Sequence, residues 1–447
     1  MVKRGIRSFS GKHVLLLQGP LGPFFRRLGC DLEEIGARVS KINFNGGDWL
    51  FYPRRSVTYR GRMEDWPEYL SRTLTEWKID VVLMCGDCRP IHRYVRQQTD
   101  RLGIELGVFE EGYVRPNYIT LERSGTNDYS SLPRSAYFYQ KQSRREVAKP
   151  LPVGDVFWYA ALWAILYYLA SSLLSPLFPH YEHHRRLAFR EAFPWVRGLW
   201  RKYYYHVKER EVRGRLEKEY SGRFFLVPLQ VYHDSQMHMH SDYADVEAFI
   251  KSVVSDFVKN ADSETYLVIK HHPMDRAYRD YTALCAQLAE RYGIKERLCY
   301  VHDLHLPTAF KHTRGVVVVN STVGLSALMA RVPVKVCGRA IYDIPGVAYQ
   351  GLLSDFWADA PNYRPNKKTL QGFHTYLLQR TQLNGSLYKR LSGSVSHTGV
   401  IWDSPAHISI VPEDRTENMK PAEIQKLNVK GPSRPVRLRH STAGHRA

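Results

Sequence analysis

The chain has 447 residues, enough for two full domains, and its hydrophobic content of 44% is ordinary for a globular protein. A net charge of +20 with a pI near 9.6 favours an anionic partner, such as nucleic acid, an anionic membrane leaflet or an acidic substrate. Six scattered cysteines do not form a disulfide framework and indicate a reducing compartment. The CxxC of Cys85 and Cys88 lacks the second ligand pair of a zinc site.

Residues 13–120 alternate strand-like and helix-like patterns. The first apolar run, VLLLQGP, is too short for the core of a signal peptide and is predicted as a strand that ends at Gln18 and Gly19. Further strands are predicted at RVSKINF, VVLMCG and IELGVF, with helices at FFRRLGCDLEEIGA, EDWPEYLSRTLTEWK and PIHRYVRQQTDRL. Repeated βα units imply a parallel sheet with helices on both faces.

Two adjacent carboxylates, Glu110 and Glu111, follow the strand IELGVF, with Gly112 and Arg115 close behind. Carboxylates beside a sugar provide a general acid or base. A solvated acidic turn is the ordinary alternative, but the preceding strand should be buried, so the acids are expected to emerge at the carboxyl edge of the sheet. Ligands bind at that edge in open α/β sheets. The glycine turn at Gln18 and Gly19 lacks the dinucleotide and P-loop motifs.

An uncharged, aromatic-rich segment, VFWYAALWAILYYLASSLL at 156–174, separates this region from the rest of the chain. Its length approaches the ~20 apolar residues that span a bilayer. A span would put the two halves of the chain on opposite sides of the membrane, so it is disfavoured. The Trp and Tyr content and the basic HHRR at 183–186 suit a helix lying in one membrane interface. A buried helix packed on the N-terminal half is an equal alternative.

The βα pattern recurs in residues 224–338, with strands at FFLVPLQ, TYLVIK, LCYV, GVVVV and VPVKVC. The fold class is therefore α/β and GT-B-like, with two doubly wound Rossmann-like domains facing a cleft and a helical aromatic-rich insertion between them. The predicted boundaries are 1–150, 151–220 and 221–395. The basic, aperiodic stretch 396–447 is expected to be a disordered tail.

Three groups of polar residues follow strands of the second domain. Lys270 and His272-Pro273 end one strand, and proline holds His272 extended, aimed to donate to a phosphate or, when protonated, to offset its charge. Asn320, Ser321 and Thr322 open a helix whose free N–H groups bind phosphate, although ordinary helix capping is also common there. Gln230 and Asp234 follow a third strand, a weak signal alone that suits the second carboxylate of a retaining transferase.

These motifs resemble the KpsS-type capsule polysaccharide proteins of Gram-negative bacteria from about residue 12 to 390. The resemblance rests on the sequences QGPLGPFF, NFNGGD, CGDCRP, EEGYVRP, SSLPR, LQVYHDSQ, KHHPMDR, YVHDL and NSTVGLSAL. It implies a GT-B-like enzyme that transfers β-linked Kdo from CMP-Kdo to a (lyso)phosphatidylglycerol lipid with retention. The family's D/E-x-G, QxxxD and HP motifs match Glu110 to Gly112, Gln230 to Asp234 and His272-Pro273. Glu111 is favoured as the acid/base because it directly precedes Gly112.

The resemblance also implies partners and a location. A KpsC-type Kdo transferase would extend the linker and an ABC exporter would follow, with the enzyme peripheral on the cytoplasmic face of the inner membrane. No metal or other cofactor is expected, because a DxD motif is missing and CMP-Kdo is the donor substrate. No nucleic-acid-binding signature accompanies the positive charge. The alternative function is a non-catalytic scaffold that binds lipid-linked capsule polymer and couples it to export.

Overall fold

The computed structural model describes residues 5–142, 148–181, 192–232, 237 and 239–402. All of them belong to one unit, Met1–Ile410, and a second unit, Val411–Ala447, lies outside the described residues. The strands are β1 His13–Leu16, β2 Arg38–Asn43, β3 Val57–Thr58, β4 Val81–Cys85, β5 Glu105–Glu111, β6 Tyr118–Arg123, β7 Phe224–Pro228, β8 Tyr266–Lys270, β9 Leu298–Val301, β10 Thr313–Val318, β11 Val334–Val336 and β12 Gln382–Asn384.

Helices occupy most of the connections between these strands. They are α1 Phe24–Glu34, α2 Gly46–Phe51, α3 Trp66–Glu76, α4 Val95–Leu102, α5 Ala136–Gln142, α6 Phe157–Leu173, α7 Ala192–Lys208, α8 Arg210–Glu217, α9 Val246–Asn260, α10 Thr282–Arg291, α11 Leu306–His312, α12 Thr322–Met329, α13 Leu353–Asp359 and α14 Lys367–Thr381. Short 3-10 turns lie at Ile6–Phe9, Pro90–His92, Asn127–Tyr129, Ser175–Leu177 and Pro273–Asp275.

The first sheet has seven strands in the order β12-β6-β5-β4-β1-β2-β3. The strands from β5 to β3 are parallel, while β6 runs antiparallel to both β5 and β12. Apolar side chains project from both faces of the sheet, as expected for a parallel sheet covered on two sides. One face packs on α1 through Phe24 and Leu28, and the other packs on α3 and α4 through Trp66 and Val95.

The second sheet has five parallel strands in the order β11-β10-β7-β8-β9. Its two faces are again apolar. One face packs on α9, α10 and α13, with Phe249, Phe257 and Phe356 fully buried. The other packs on α8, α11, α12 and α14 through Leu216 and Phe373. Two Rossmann-like domains in a GT-B-like arrangement are thus confirmed as the fold class.

The C-terminal part of the chain returns to the first domain. The sequence pattern places residues 221–395 in the second domain, but β12 pairs with β6 of the first. The reason is that Leu383 and Leu387 are apolar and join the α1 side of the first core. The predicted tail also begins too early, since Val400 and Trp402 are buried in the same core. Residues 403–447 of that tail lie outside the described residues.

The residues that return to the first domain donate hydrogen bonds to a buried carboxylate on α1. Asp31 is only 3% exposed. Its oxygens accept hydrogen bonds from the backbone N–H of His397 (2.5 Å), from the Thr398 hydroxyl (2.5 Å) and from Trp402 Nε1 (3.3 Å). A buried charge without such partners would cost several kcal/mol, so the closing segment is part of the first domain's core.

The aromatic-rich segment forms α6, which packs against α2 on one face only. Trp163 donates from Nε1 to the Tyr388 carbonyl (2.9 Å), and the Tyr167 and Ser171 side chains are buried. The opposite face is exposed. The buried alternative therefore holds for one side of the helix, and the interfacial alternative stays a prediction for the other side. In the described part of the chain, no helix is long and apolar enough to cross a membrane.

Close approach of α6 to α2 requires glycine. A Cβ at Gly46 would lie 2.3 Å from the Ala170 carbonyl oxygen, so Gly46→Ala should force the helices apart and destabilise the fold by ~1–3 kcal/mol. Urea denaturation measures this loss. Gly214→Ala on α8 is the control, since no atom lies within 4 Å of its Cβ position. Equal stability of the two variants would show that α6 does not need this contact.

Candidate active site

The strand order reverses at one point in each sheet, and the candidate residues gather at those points. In the first sheet β1 lies between β2 and β4, and in the second β7 lies between β8 and β10. Ligands of open α/β sheets bind beyond the carboxyl ends of strands at such a switch point. Gln18 follows β1 and Gln230 follows β7, so each switch point carries a glutamine.

The Gln18 side chain is 1% exposed and links four segments of the first domain. Its Oε1 accepts a hydrogen bond from Arg89 Nη1 (2.9 Å). Its Nε2 lies within hydrogen-bond distance of the Tyr181 hydroxyl (2.9 Å), the Tyr167 hydroxyl (3.1 Å) and Asp48 Oδ2 (3.3 Å). Arg89 Nη1 also donates to the Gly19 carbonyl (2.9 Å). Sequence reasoning gave no role to Arg89, although its position just beyond strand β4 at the same sheet edge is a signal for one.

Glu110 and Glu111 leave β5 on opposite faces, because successive side chains of a strand alternate. Glu110 shares the face of Val108 and comes close to Arg89. The Glu110 Oε2 and Arg89 Nε atoms lie 3.3 and 3.5 Å from the position that a Cβ would occupy at Gly86. Glu111 shares the face of Phe109 and accepts a hydrogen bond from the phenol of Tyr388.

Those two environments differ electrostatically. Burial raises the pKa of Tyr388 well above its usual range, and the neighbouring Glu111 charge adds to this, so Tyr388 stays protonated as a donor. Glu110 instead lies near the guanidinium of Arg89. The two glutamates are therefore not equivalent.

Arg115 reaches from the first domain toward the second. Its Nε donates to the Gly112 carbonyl (3.2 Å), and its positive charge acts on His272 beyond β8. Burial, followed by the charges of Lys270, Arg115 and Arg276, lowers the pKa of His272 to about 4. The HP motif and the loop after the paired glutamates thus meet across the two domains.

His272 is a neutral ring with a defined tautomer. Its Nδ1 accepts the backbone N–H of Met274 (3.2 Å), so the ring proton lies on Nε2. Of the two roles predicted for His272, a pKa of about 4 favours the neutral donor near pH 7 over the protonated ring. Positive charge comes instead from Lys270, which is 6% exposed and whose pKa burial lowers to about 8.

The loop before α12 adds backbone donors to this group. Ser321 caps α12, with its hydroxyl accepting from the Val323 N–H (3.3 Å), and Thr322 is the first residue of the helix. The Asn320 N–H donates to Gln230 Oε1 (3.4 Å), so the loops after β7 and β10 are joined. The helix N-terminus presents N–H groups and a positive dipole end.

Asp234 lies outside the described residues. Two residues earlier, the Tyr232 N–H donates to Asp275 Oδ2 (2.8 Å) in the turn that follows His272-Pro273. The described part of the QxxxD segment therefore lies next to the turn that follows His272-Pro273. The Gln230 residue is 9% exposed.

A buried polar group joins the domains beside this site. The Cys88 Sγ and His240 Nε2 atoms are 3.6 Å apart, and the Asp87 carboxylate accepts from the Thr126 N–H (2.6 Å). The side chains of Asp87, Cys88 and His240 are close enough to hold a metal ion, but their contacts here are hydrogen bonds. This group could not be predicted from the sequence, because His240 lies far from the CxxC along the chain.

Two facing Rossmann-like domains with polar switch points define the GT-B-like class of protein. Comparison with known proteins narrows this further. The chain belongs to the family of capsule polysaccharide biosynthesis proteins, whose pattern it matches over residues 80–388. The resemblance inferred from the motifs is thereby confirmed.

Relatives of this chain are also capsule proteins. It is 42% identical over 389 residues to the capsule polysaccharide export protein KpsS of Escherichia coli, covering 85% of this chain and 97% of that protein. It is 39% identical over 391 residues to the capsule polysaccharide modification protein LipB of Neisseria meningitidis serogroup B, covering 86% and 93%.

Two solved structures of low sequence identity align with this chain over most of their length. The KpsC β-Kdo 2,7-transferase of Thermosulfurimonas dismutans matches with 13% identity and a TM-score of 0.37, covering 88% of this chain and 96% of that one. A glycosyltransferase from Rickettsia africae matches with 7% identity and a TM-score of 0.32, covering 81% and 93%.

His272 should remain neutral until the pH falls to about 4, because burial and neighbouring cations disfavour its charged form. Nitrogen chemical shifts of labelled histidine, assigned by comparison with His272→Gln, measure this titration and show which nitrogen carries the proton. Titration near the ordinary value of about 6.5, or a proton on Nδ1, would contradict the described capping contact.

Proposed function

We propose that the protein is a retaining glycosyltransferase that moves β-linked Kdo from CMP-Kdo to a (lyso)phosphatidylglycerol acceptor and so starts the linker of a capsular polysaccharide. One observation carries this proposal. The Glu110 and Glu111 carboxylates lie on one domain and the predicted phosphate-binding groups on the other, and the charge of Arg115 from the first domain acts on His272 of the second. Family membership supports the capsule pathway, and the motif resemblance supplies the donor and acceptor.

The second domain suits the single phosphate of CMP-Kdo. Lys270 provides a cation, His272 an Nε2–H donor, and the start of α12 free backbone N–H groups at Ser321 and Thr322. Together with Arg115 these groups balance the negative charge that grows on CMP as it leaves. The proposal therefore uses no metal ion.

Retention follows from two displacements at the anomeric carbon. The Asp234 carboxylate attacks that carbon, the bond to the phosphate oxygen breaks, and CMP departs with the electron pair. The acceptor hydroxyl oxygen then attacks the same carbon, the bond to the Asp234 oxygen breaks, and the carboxylate leaves with that electron pair, while a glutamate takes the hydroxyl proton. The product keeps the configuration of the donor.

The contacts favour Glu110 as the base. Glu111 is favoured instead by its own position directly before Gly112. Glu110 lies near Arg89, which also holds Gln18 at the first switch point. Glu110 also occupies the first position, D/E, of the D/E-x-G motif. Glu111, which holds the Tyr388 phenol, is the alternative.

Substitution of the three acids should separate their roles. Asp234→Ala should abolish transfer yet leave CMP affinity nearly intact, because the carboxylate acts on the sugar. Glu110→Gln should lower kcat by ~10²–10⁴-fold and Glu111→Gln by less. Transfer is measured by mass spectrometry of lysophosphatidylglycerol incubated with CMP-Kdo, with and without EDTA, and CMP affinity by calorimetry.

Several outcomes would contradict these assignments. Near-normal turnover of Asp234→Ala removes it as nucleophile, and a larger loss in Glu111→Gln moves the base to Glu111. Activity lost in EDTA and restored by magnesium requires a metal. No product with any lipid acceptor, together with tight binding of lipid-linked polymer, supports the scaffold alternative.

His272→Ala is the contrasting variant, since it should weaken CMP binding and turnover together.

We further propose that the exposed face of α6 rests in the cytoplasmic leaflet, where the acceptor lies. This face carries one stripe of large apolar side chains: Trp158, Leu162, Ile165, Leu169 and Leu173, which are 48–74% exposed. On α7, Trp200, Tyr203 and Val207 are also exposed, with Arg201 and Lys202 among them. A KpsC-type transferase and an ABC exporter are the partners that this location implies.

Replacing the centre of this stripe should weaken membrane binding. Leu162→Ser, Ile165→Ser and Leu169→Ser together should reduce binding to phosphatidylglycerol vesicles at least tenfold, because apolar area no longer enters the interface. Transfer to a soluble short-chain acceptor should persist. Sedimentation with vesicles at low and high salt separates the apolar part from the electrostatic part, which salt screens.

A matched triple variant controls for loss of exposed apolar area as such. Val57→Ser, Tyr94→Ser and Leu102→Ser remove exposed apolar side chains scattered outside α6, and vesicle binding should be unchanged. If both triple variants bind vesicles as the unaltered protein does, α6 is not the membrane contact. Trp163 is left intact in both, because it packs over Gly22 and supports the fold.

A further inference from the structure

We propose that Glu209 is a positioning residue for the donor phosphate, an inference that rests on the transfer reaction proposed above. Its carboxylate holds the loop that follows β9 and, through that loop, places the cations beside His272. Glu209 lies at the junction of α7 and α8, outside both sheets. The loop contains His302 and Asp303 of the YVHDL sequence, to which the donor site described above gives no role.

The Glu209 carboxylate is buried and accepts hydrogen bonds from this loop. The residue is 7% exposed. Its Oε2 accepts from the backbone N–H groups of His302 (2.9 Å) and Asp303 (2.9 Å), and its Oε1 lies 2.8 Å from His302 Nδ1. A buried carboxylate is costly unless several donors surround it. The loop after β9 supplies the donors that this acid needs, and the same contacts fix the backbone of the loop.

Side chains of α7 and α8 attach the loop further. The Tyr205 ring of α7 stacks on the His302 ring, with centroids 3.5 Å apart and planes 8° apart. His206 Nδ1 and Arg213 Nη1 lie 2.7 and 3.4 Å from Asp303 Oδ2. Both helices therefore contact the loop after β9, and the position of the loop depends on them.

The loop after β9 in turn holds Arg276, a cation of the proposed donor site. Arg276 Nη2 donates to the His302 carbonyl (2.9 Å) and lies 3.6 Å from Asp303 Oδ1. Strands β8 and β9 are parallel neighbours, so the loops that follow them begin side by side at one edge of the sheet. A displacement of the loop after β9 would therefore move Arg276 relative to His272, on which its charge acts.

Glu209 and Asp303 also help to keep Lys270 charged. Burial, followed by the charge of Arg276, lowers the pKa of Lys270 to about 8, and the two carboxylates oppose that effect because anions favour the protonated ammonium. The charged and titratable neighbours of Lys270 come from three elements: His271, His272 and Arg276 after β8, Asp303 after β9, and Glu209 between α7 and α8. Both histidines are neutral near pH 7, because burial lowers their pKa values to about 3 and about 4.

Loss of the Glu209 charge should weaken phosphate binding most at alkaline pH. At pH 6.5 Lys270 is mainly protonated, because its pKa is about 8. At pH 8 about half of it is protonated in the unaltered protein, and Glu209→Gln lowers that fraction. The dissociation constant for CMP, divided by that of the unaltered protein, should therefore be at least threefold larger at pH 8 than at pH 6.5. Loss of packing alone would give the same ratio at both pH values.

Calorimetry with CMP measures this ratio for three variants. Glu209→Gln removes the charge at nearly constant shape, and the ionisation of CMP itself cancels because two proteins are compared at one pH. Asp303→Asn leaves the hydrogen bonds of Glu209 in place and should change the ratio in the same direction. Glu211→Gln, an exposed acid on α8, is the control and should give a ratio near one at both pH values. Thermal melting verifies each fold, and Asp303→Asn, at a side chain that is 27% exposed, decides the test if Glu209→Gln does not fold.

A second measurement separates this inference from the transfer reaction. Chemical shifts of ¹³C-labelled lysine, with Lys270 assigned by comparison with Lys270→Met, report its titration whether or not sugar is transferred. The pKa of Lys270 should be lower in Glu209→Gln than in the unaltered protein, and equal titration would overturn the inference alone. A ratio of CMP dissociation constants that stays constant with pH, in a protein that transfers Kdo, would also overturn it alone. If the unaltered protein binds no CMP, the transfer reaction and the donor role of Glu209 are overturned together.

Discussion

The side-chain amide of Gln18 holds the first domain's site together. A buried amide is costly unless its donors and acceptor find partners, and here the partners come from four different segments. Arg89 follows β4, Asp48 lies on α2, Tyr167 lies on α6 and Tyr181 follows the turn after α6. Satisfying the hydrogen bonds of one amide therefore fixes the switch point, Arg89 and helix α6 in one arrangement.

Electrostatics divides the cleft into two parts. Lys270, Arg115 and Arg276 concentrate positive charge around a neutral His272, which suits a departing phosphate. The carboxylates lie on the other domain, with one beside Arg89 and the other beside a phenol. The high net charge of the chain is thus not only a surface property, because part of it lies at the proposed donor site.

Much of the fold could be predicted from the sequence, because apolar strand runs alternate with amphipathic helices and each candidate motif follows a strand. The opposite directions of Glu110 and Glu111 could have been deduced from strand alternation as well. Other features depend on distant residues. The segment QLN of β12 is too short and polar to indicate a strand, and the contact of Cys88 with His240 joins residues far apart. The neutral state of His272 depends on burial and on Arg115 from another domain.

The return of the chain to the first sheet affects the order in which the protein can fold during synthesis. Ribosomes release the first domain's strands early, but β6 gains its outer neighbour and Asp31 gains its hydrogen-bond partners only when residues 382–402 have emerged. Domains generally fold as units in the order of synthesis, yet here the N-terminal domain is completed last. Until then it presents an open sheet edge and an unpartnered acid, so the nascent chain has reason to need a chaperone.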